Sequence, residues 1–360
     1  MNFVVSIVFS CAVVVLLVLI PWVGVGVFDL RWLFGIVIPY AAVITFLAGM
    51  IWKVVDWARS PVPFRIPTTA GQQWSLPWIK YSRLDNPKGT AGVVGRMFFD
   101  VVLFRSLFRH TRMEFRNGPK VTYEWEKWLW LFALAFHYAF LVILIRHLRF
   151  FTEPVPWFVT LTDRLDGFMQ VGIAPFTGYQ LPYLLLSGVV LLVAVGFLFV
   201  RRIYSAQIRY ISLPSDYFPL ALIGTLALTG ILMRYVLKVD LTAVKELAMG
   251  LVSFRVSNPE GIGVLFYIHL FLFSVLLFYF PFSKLAHMAG IFLSPTRNLS
   301  NNSRFVRHVN PWNYPVETHT YEEYEDEFRE KMIEAGLPVD KKPEPGPEPD
   351  DKAASGEEKE

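Results

Sequence analysis

Two stretches decide the fold: residues 128–147, WLWLFALAFHYAFLVILIRH, and residues 262–287, IGVLFYIHLFLFSVLLFYFPFSKLAH. Each contains a long apolar run close to the roughly 20 residues with which a helix crosses the hydrocarbon core of a bilayer. Each also holds two histidines, ten positions apart in the first (His137, His147) and eighteen apart in the second (His269, His287). Ionisable side chains at membrane depth are costly and require partners.

Working outward, apolar runs at 3–20, 32–55, 128–145, 182–200, 217–233 and 262–283 predict six transmembrane helices, an all-α integral membrane protein. The first run halts at Pro21 and has no basic residue before it, so it reads as a retained anchor helix and not a signal peptide. Composition agrees. The chain is 54% hydrophobic, 16% aromatic and only 18% charged, with a mean hydropathy of +0.42, which excludes an ordinary soluble globule and a disordered chain. Its single cysteine, Cys11, excludes an intrachain disulfide framework, an iron–sulfur cluster held by this chain alone, and covalent c-type haem.

The net charge of +4 conceals two opposed parts: residues 1–316 carry +14 and residues 317–360 carry −10. Of the 28 basic side chains in the first part, 20 fall in segments 53–127, 201–209 and 284–307, on one side of a six-helix topology, and 8 on the other. The excess of Lys and Arg predicts that this side, with both termini, faces the cytoplasm of a cell whose inner membrane holds the chain. Four prolines in 60–78 predict an extended segment. Helical spacing of Val94, Phe98, Val101, Phe104 and Phe108, with Arg96, Arg105 and Arg109 elsewhere on the wheel, predicts a basic amphipathic helix over 90–110. Such a helix suits anionic lipid headgroups or a soluble partner. Tyr321, Tyr324, Phe328 and Met332 predict an acidic amphipathic helix within 317–336, and the Pro- and Glu-rich remainder from about 338 reads as disordered. The divisions are therefore 1–56, 57–123, 124–295 and 296–360. Nothing here suggests a nucleic-acid partner.

Of the seven histidines, His110, His308 and His319 lie in polar surroundings and read as surface imidazoles. The other four invite geometry. On unbroken helices, ten residues rise about 15 Å and eighteen about 27 Å. Eighteen residues return to the same face, whereas ten are offset by roughly 80°. Antiparallel helices would match His137 with His287 at the cytoplasmic side and His147 with His269 at the outer side, the pair midpoints about 21 Å apart. A zinc hydrolase would need a third ligand and the closer spacing of His-Glu-x-x-His, which is absent. A proton relay would recruit intramembrane carboxylates, and none lies inside the six runs. Two imidazoles on facing helices suit the axial positions of a non-covalent haem b, so two haems fit the four residues. A non-redox anchor or transporter is the rival; it would break its helices around a midplane site.

The 10- and 18-residue spacings resemble those of the gamma-subunit family of respiratory nitrate reductase, over residues 124–295. With the added helix pair, the 60–78 segment and the 90–110 helix, the chain looks like the membrane subunit M of Dsr complexes of sulfur-metabolising microbes. That resemblance implies that His137, His147, His269 and His287 are haem-iron ligands and that menaquinone meets the outer haem. It also implies a cytoplasmic iron–sulfur partner resembling heterodisulfide reductase, with further membrane and periplasmic subunits. The lysine that nitrate reductase subunits place near the distal haem has no counterpart here. Arg146 and Arg149, clustered with Asp163, Arg164 and Asp166, are candidates to pair with a haem propionate or quinone carbonyl, or simply form surface ion pairs. Lys284, Arg201 and Arg202 either serve the inner haem's propionates or enforce topology.

Overall fold

A computed structural model describes residues 3–60, 72–116, 118, 120–167, 185–304, 306 and 318–341. Helix α1 (Phe3–Gly26) is followed by a π-helical turn, Leu33–Val37, which leads into α2 (Ile38–Arg59). Two short helices, α3 (Thr90–Val102) and α4 (Arg105–Phe108), precede an antiparallel hairpin of β1 (Thr111–Arg116) and β2 (Lys120–Trp125). Then come α5 (Lys127–His147), α6 (Trp157–Gly167), α7 (Leu186–Tyr204), α8 (Ala206–Ile211), α9 (Pro214–Tyr235), α10 (Leu241–Val252) and α11 (Val264–Tyr279). Helices α12 (His287–Leu293) and α13 (Pro295–Asn298) end this unit. Among the described residues, six helices are long and apolar enough to cross a membrane: α1, α2 with its π turn, α5, α7, α9 and α11.

These sequences are helical because a segment in lipid must satisfy its backbone hydrogen bonds internally. Helix α1 shows the resulting inversion. Its small polar residues Ser6 and Ser10 are buried, Ser10 Oγ donating to the carbonyls of Ser6 (2.8 Å) and Pro214 (3.1 Å), while Val8, Phe9 and Val15 face outward. The core lies among α1, α5, α7, α9 and α11, built on Val14, Ala139, Leu191, Val195, Leu222, Leu226, Ile268 and Leu272. Helix α5 packs along α7, α7 along α9, and α11 against α1, α2 and α9; no comparable backbone packing joins α5 to α11.

Several expectations need correction. Helix α1 does not halt at Pro21; it runs to Gly26, since one missing donor is tolerated within a long lipid-embedded helix. The helix expected over 90–110 stops at Val102, where Phe104 takes a left-handed conformation (φ 51°), and the hairpin that follows was not anticipated. The sixth helix breaks as well. After Tyr279 a 3-10 turn carries the buried Pro281, and Ser283 is extended (φ −124°, ψ 176°). A second short 3-10 turn leads to His287, the first residue of α12. The rise and facing assumed for an unbroken eighteen-residue interval therefore do not apply.

Pro182 and most of the proline-rich 60–78 segment lie outside the described residues. The C-terminal unit, residues 311–360, is described by itself. Helix α14 (Tyr321–Glu334) starts at a Thr320–Glu323 capping box. Pro338–Lys341 returns along it, Glu325 accepting from the backbone N–H groups of Asp340 and Lys341 at 2.8 Å each.

Candidate cofactor site

The end of the bundle where α2, α7 and α11 finish and α5 and α9 begin is rich in Lys and Arg; it is called the basic end below, and the other the far end. His137 lies in the third turn of α5 with Phe104 edge-on to its ring (centroids 4.9 Å). The break after α11 turns the chain so that His287 faces it. Their ring centroids are 6.0 Å apart with planes at 83°. At the far end, His147 closes α5 and His269 lies in the second turn of α11, with centroids 6.4 Å apart and planes at 12°.

The other ring nitrogens are fixed in a common way. Nδ1 of His137 lies 2.7 Å from the Ala133 carbonyl, Nδ1 of His147 2.7 Å from that of Ile143, and Nδ1 of His287 2.8 Å from that of Lys284. A carbonyl only accepts, so each Nδ1 carries the proton. His269 has a different partner, the Thr229 hydroxyl on α9 at 2.8 Å. That hydroxyl donates to the Leu226 carbonyl (3.0 Å) and so accepts from His269. All four imidazoles are therefore held as the Nδ1–H tautomer with Nε2 as the lone-pair nitrogen. Among the described residues, no hydrogen bond reaches any of the four Nε2 atoms.

This is the donor set of a metal-ligating histidine, whose second nitrogen is oriented by an outer hydrogen bond. Spacing agrees. Two imidazoles trans on one metal, with metal–nitrogen bonds of roughly 2.0 Å, put their ring centroids about 6 Å apart. A direct hydrogen bond or stacked contact would be closer. Among the described residues there is no group of three or more His, Cys, Asp or Glu able to hold a metal ion, and each site brings together two imidazoles. Such a pair of histidines would suit a group that brings its remaining ligands with it, as haem does.

The neighbouring cations are already engaged. Arg146 bonds Asp163 through Nε (2.9 Å) and Asp166 through Nη1 (2.7 Å), and Asp166 accepts from the backbone N–H (2.8 Å) and hydroxyl (2.6 Å) of Ser187 at the start of α7. Arg149 reaches Asp163 at 3.3 Å. Burial alone would raise the Asp163 carboxyl, but these arginines hold it below the ordinary range. Arg164 is not joined to the network by any described bond. At the basic end, Lys284 (2.7 Å) and Arg202 (3.9 Å) converge on the buried Asp216, while Arg201 pairs with Glu126 (3.2 Å). The Thr229 hydroxyl was missed in the sequence, because a threonine forty residues from its histidine carries no local signal.

The profile of the nitrate reductase gamma subunit matches residues 96–308, which includes both histidine pairs. The chain belongs to the nitrate reductase gamma subunit family. Two relatives called Hdr-like menaquinol oxidoreductase cytochrome b-like subunit are similar to the chain along most of their length. That of Archaeoglobus fulgidus is 44% identical over 287 residues, 78% of this chain and 83% of the relative. That of Archaeoglobus profundus is 45% identical over 281 residues, 76% and 81% respectively. The family match begins inside α3, so it takes in the basic-end elements as well as the helices that carry the histidines.

Proposed function

We propose that this chain is a dihaem cytochrome b, the membrane subunit of a quinone-linked oxidoreductase, with haem b ligated by His137 and His287 at the basic end and by His147 and His269 at the far end. The observation that carries this reading is the pair of 6.0 and 6.4 Å imidazole separations with every Nε2 left open. When bound, such haems would supply one-electron transfer. The protein's part is to hold the rings, set their tautomer and exclude water between the helices. Electrons pass between menaquinone or menaquinol at the far end and an iron–sulfur subunit at the basic end. The printed names of the two relatives support a menaquinol link and an Hdr-like assembly. The chain is multi-pass in the inner membrane, both termini and the basic end in the cytoplasm, by the Lys and Arg excess. Further membrane and periplasmic subunits, and a place in sulfur metabolism, rest on the sequence resemblance. Arg146 and Arg149 stand beside His147, where pairing to a propionate or quinone competes with their bonds to Asp163 and Asp166.

A reduced-minus-oxidised visible spectrum of the purified chain, with extraction of the pigment, is the test. Two haem b per chain is the expected result; none would sink the reading. His269→Ala and His147→Ala should each remove the same haem, and His137→Ala and His287→Ala the other. Loss of different haems within a pair refutes the pairing.

A further inference from the structure

The hairpin and α3 are built inside out. The register pairs Met113 with Tyr123, Phe115 with Val121 and Thr111 with Trp125, so one face is almost wholly apolar. That face is turned outward: Phe115 is 72% and Tyr123 68% exposed, and Met113, Val121 and Trp125 are exposed too. The half-buried face is the polar one, with Arg112, Thr122 and Glu124. Helix α3 repeats the pattern. Arg96, 2% exposed, and Asp100 point inward, Arg96 donating to the carbonyls of Asp85, Arg297 and Leu299, while Val94 (63%), Phe98 and Val101 face outward.

We infer that α3 and the hairpin form one lipid-contacting surface, seated at the headgroup–acyl boundary of the leaflet at the basic end. Inverted burial is unfavourable in water, where each exposed large apolar side chain forgoes the free energy of transfer out of water, and is favourable against acyl chains. Depth agrees. The Leu103 carbonyl accepts from Trp130 Nε1 (2.8 Å), the Val102 carbonyl accepts from the Tyr138 hydroxyl (2.9 Å), and Phe104 meets His137. The α3–α4 junction therefore lies beside the first three turns of the membrane-spanning α5. Strand β2 enters α5 through one residue, Glu126, so the hairpin stands directly at the start of that membrane-spanning helix. Trp128 and Tyr204 are exposed beside it, aromatics of the kind enriched at bilayer interfaces. Cations border the surface, with Lys120 on the hairpin and Lys127 at the start of α5, matched to lipid phosphate. A two-stranded ribbon leaves unpaired backbone groups on both edges, so it belongs in the headgroup region and not in the hydrocarbon core. The inference is independent of what the histidines bind.

The test places a nitroxide on the full chain, with Cys11→Ser removing the native thiol, in phosphatidylcholine–phosphatidylglycerol nanodiscs. Labels at Phe98→Cys, Phe115→Cys and Tyr123→Cys are compared with Lys120→Cys on the polar face. Collision with dissolved oxygen is measured against collision with a water-soluble nickel chelate. The expected result is an oxygen-to-nickel ratio several-fold higher at the three apolar positions than at 120. Equal access of nickel to all four overturns the inference, as does protection of the apolar positions from both reagents, which would mean that protein covers the face.

Discussion

Thr229 is the residue whose chemistry is most open to test. Three of the site histidines give Nδ1–H to carbonyls of their own chain segment, whereas His269 gives its proton to a hydroxyl on a neighbouring helix. An acceptor on Nδ1–H makes the ring a stronger donor through Nε2, which stabilises the oxidised metal. Thr229→Val keeps the shape and deletes the acceptor. In a redox titration, the midpoint of the far-end haem should rise while that of the basic-end haem stays in place; Thr229→Ser should restore the original value. The unpartnered buried N–H would also lower stability by about 1–3 kcal/mol. A titration in which both midpoints move together would mean that Thr229 acts through the fold and not through His269. The ring planes give a second handle, 83° at the basic end against 12° at the far end. If the two pairs hold haem as proposed, these different ring orientations should give the oxidised protein two different low-spin EPR signals. The more anisotropic one should vanish in His287→Ala.

Among the elements, the break after α11 and the loop before α3 matter most, because they set the basic end. Helix α2 lies close against the break: a Cβ on Gly49 would come within 2.7 Å of the Pro281 Cβ. Gly49→Val should push α2 off Pro281, lower thermal stability by about 1–3 kcal/mol as overpacking does, and disturb the basic-end haem spectrum before the far-end one. The loop before α3 is tied by Asp85, which accepts from Arg105, Arg109 and Ser82. Burial alone would raise this carboxyl; the arginine and serine hydrogen bonds and the Arg105 charge outweigh it and hold Asp85 well below the ordinary carboxylate range. A depressed folded-state pKa stabilises fully above the unfolded value of about 3.9 and is lost as pH falls below it. Chemical denaturation should accordingly show the wild type losing stability below about pH 4, with Asp85→Asn already weaker at pH 7 and flatter across that range.

At the level of the whole molecule, the +14 and −10 parts fall in different structural units: the first 310 residues contain all four site histidines, and the acidic helix α14 belongs to the other. A chain ending at Asn310 should therefore keep both haem bands with unchanged midpoints. Loss of either band would show that the acidic unit supports the cofactor region. Much of the first unit was legible in advance. Long apolar runs announce membrane helices because lipid allows little else, and histidines within them stand out against a background that excludes charge. Arg96, Arg105 and Arg109 were misread for the opposite reason. Their spacing suggested a cationic surface, yet Arg96 is buried against carbonyls and Arg105 and Arg109 close on Asp85. Periodicity shows that two faces differ but does not say which one is turned inward.

The sequence by itself determined the six spans, the basic excess at one end and the candidate histidines, because each follows from local composition and the length of chain a bilayer requires. Only the tertiary structure decided that Pro281 and Ser283 break the last span, that His287 nevertheless comes to 6.0 Å from His137, and that Thr229 holds His269. It also decided that α3 and the hairpin turn their apolar faces outward. The reason is common to all four. Each depends on which distant segments share space, and a spacing rule drawn on one unbroken helix holds no information about its neighbours.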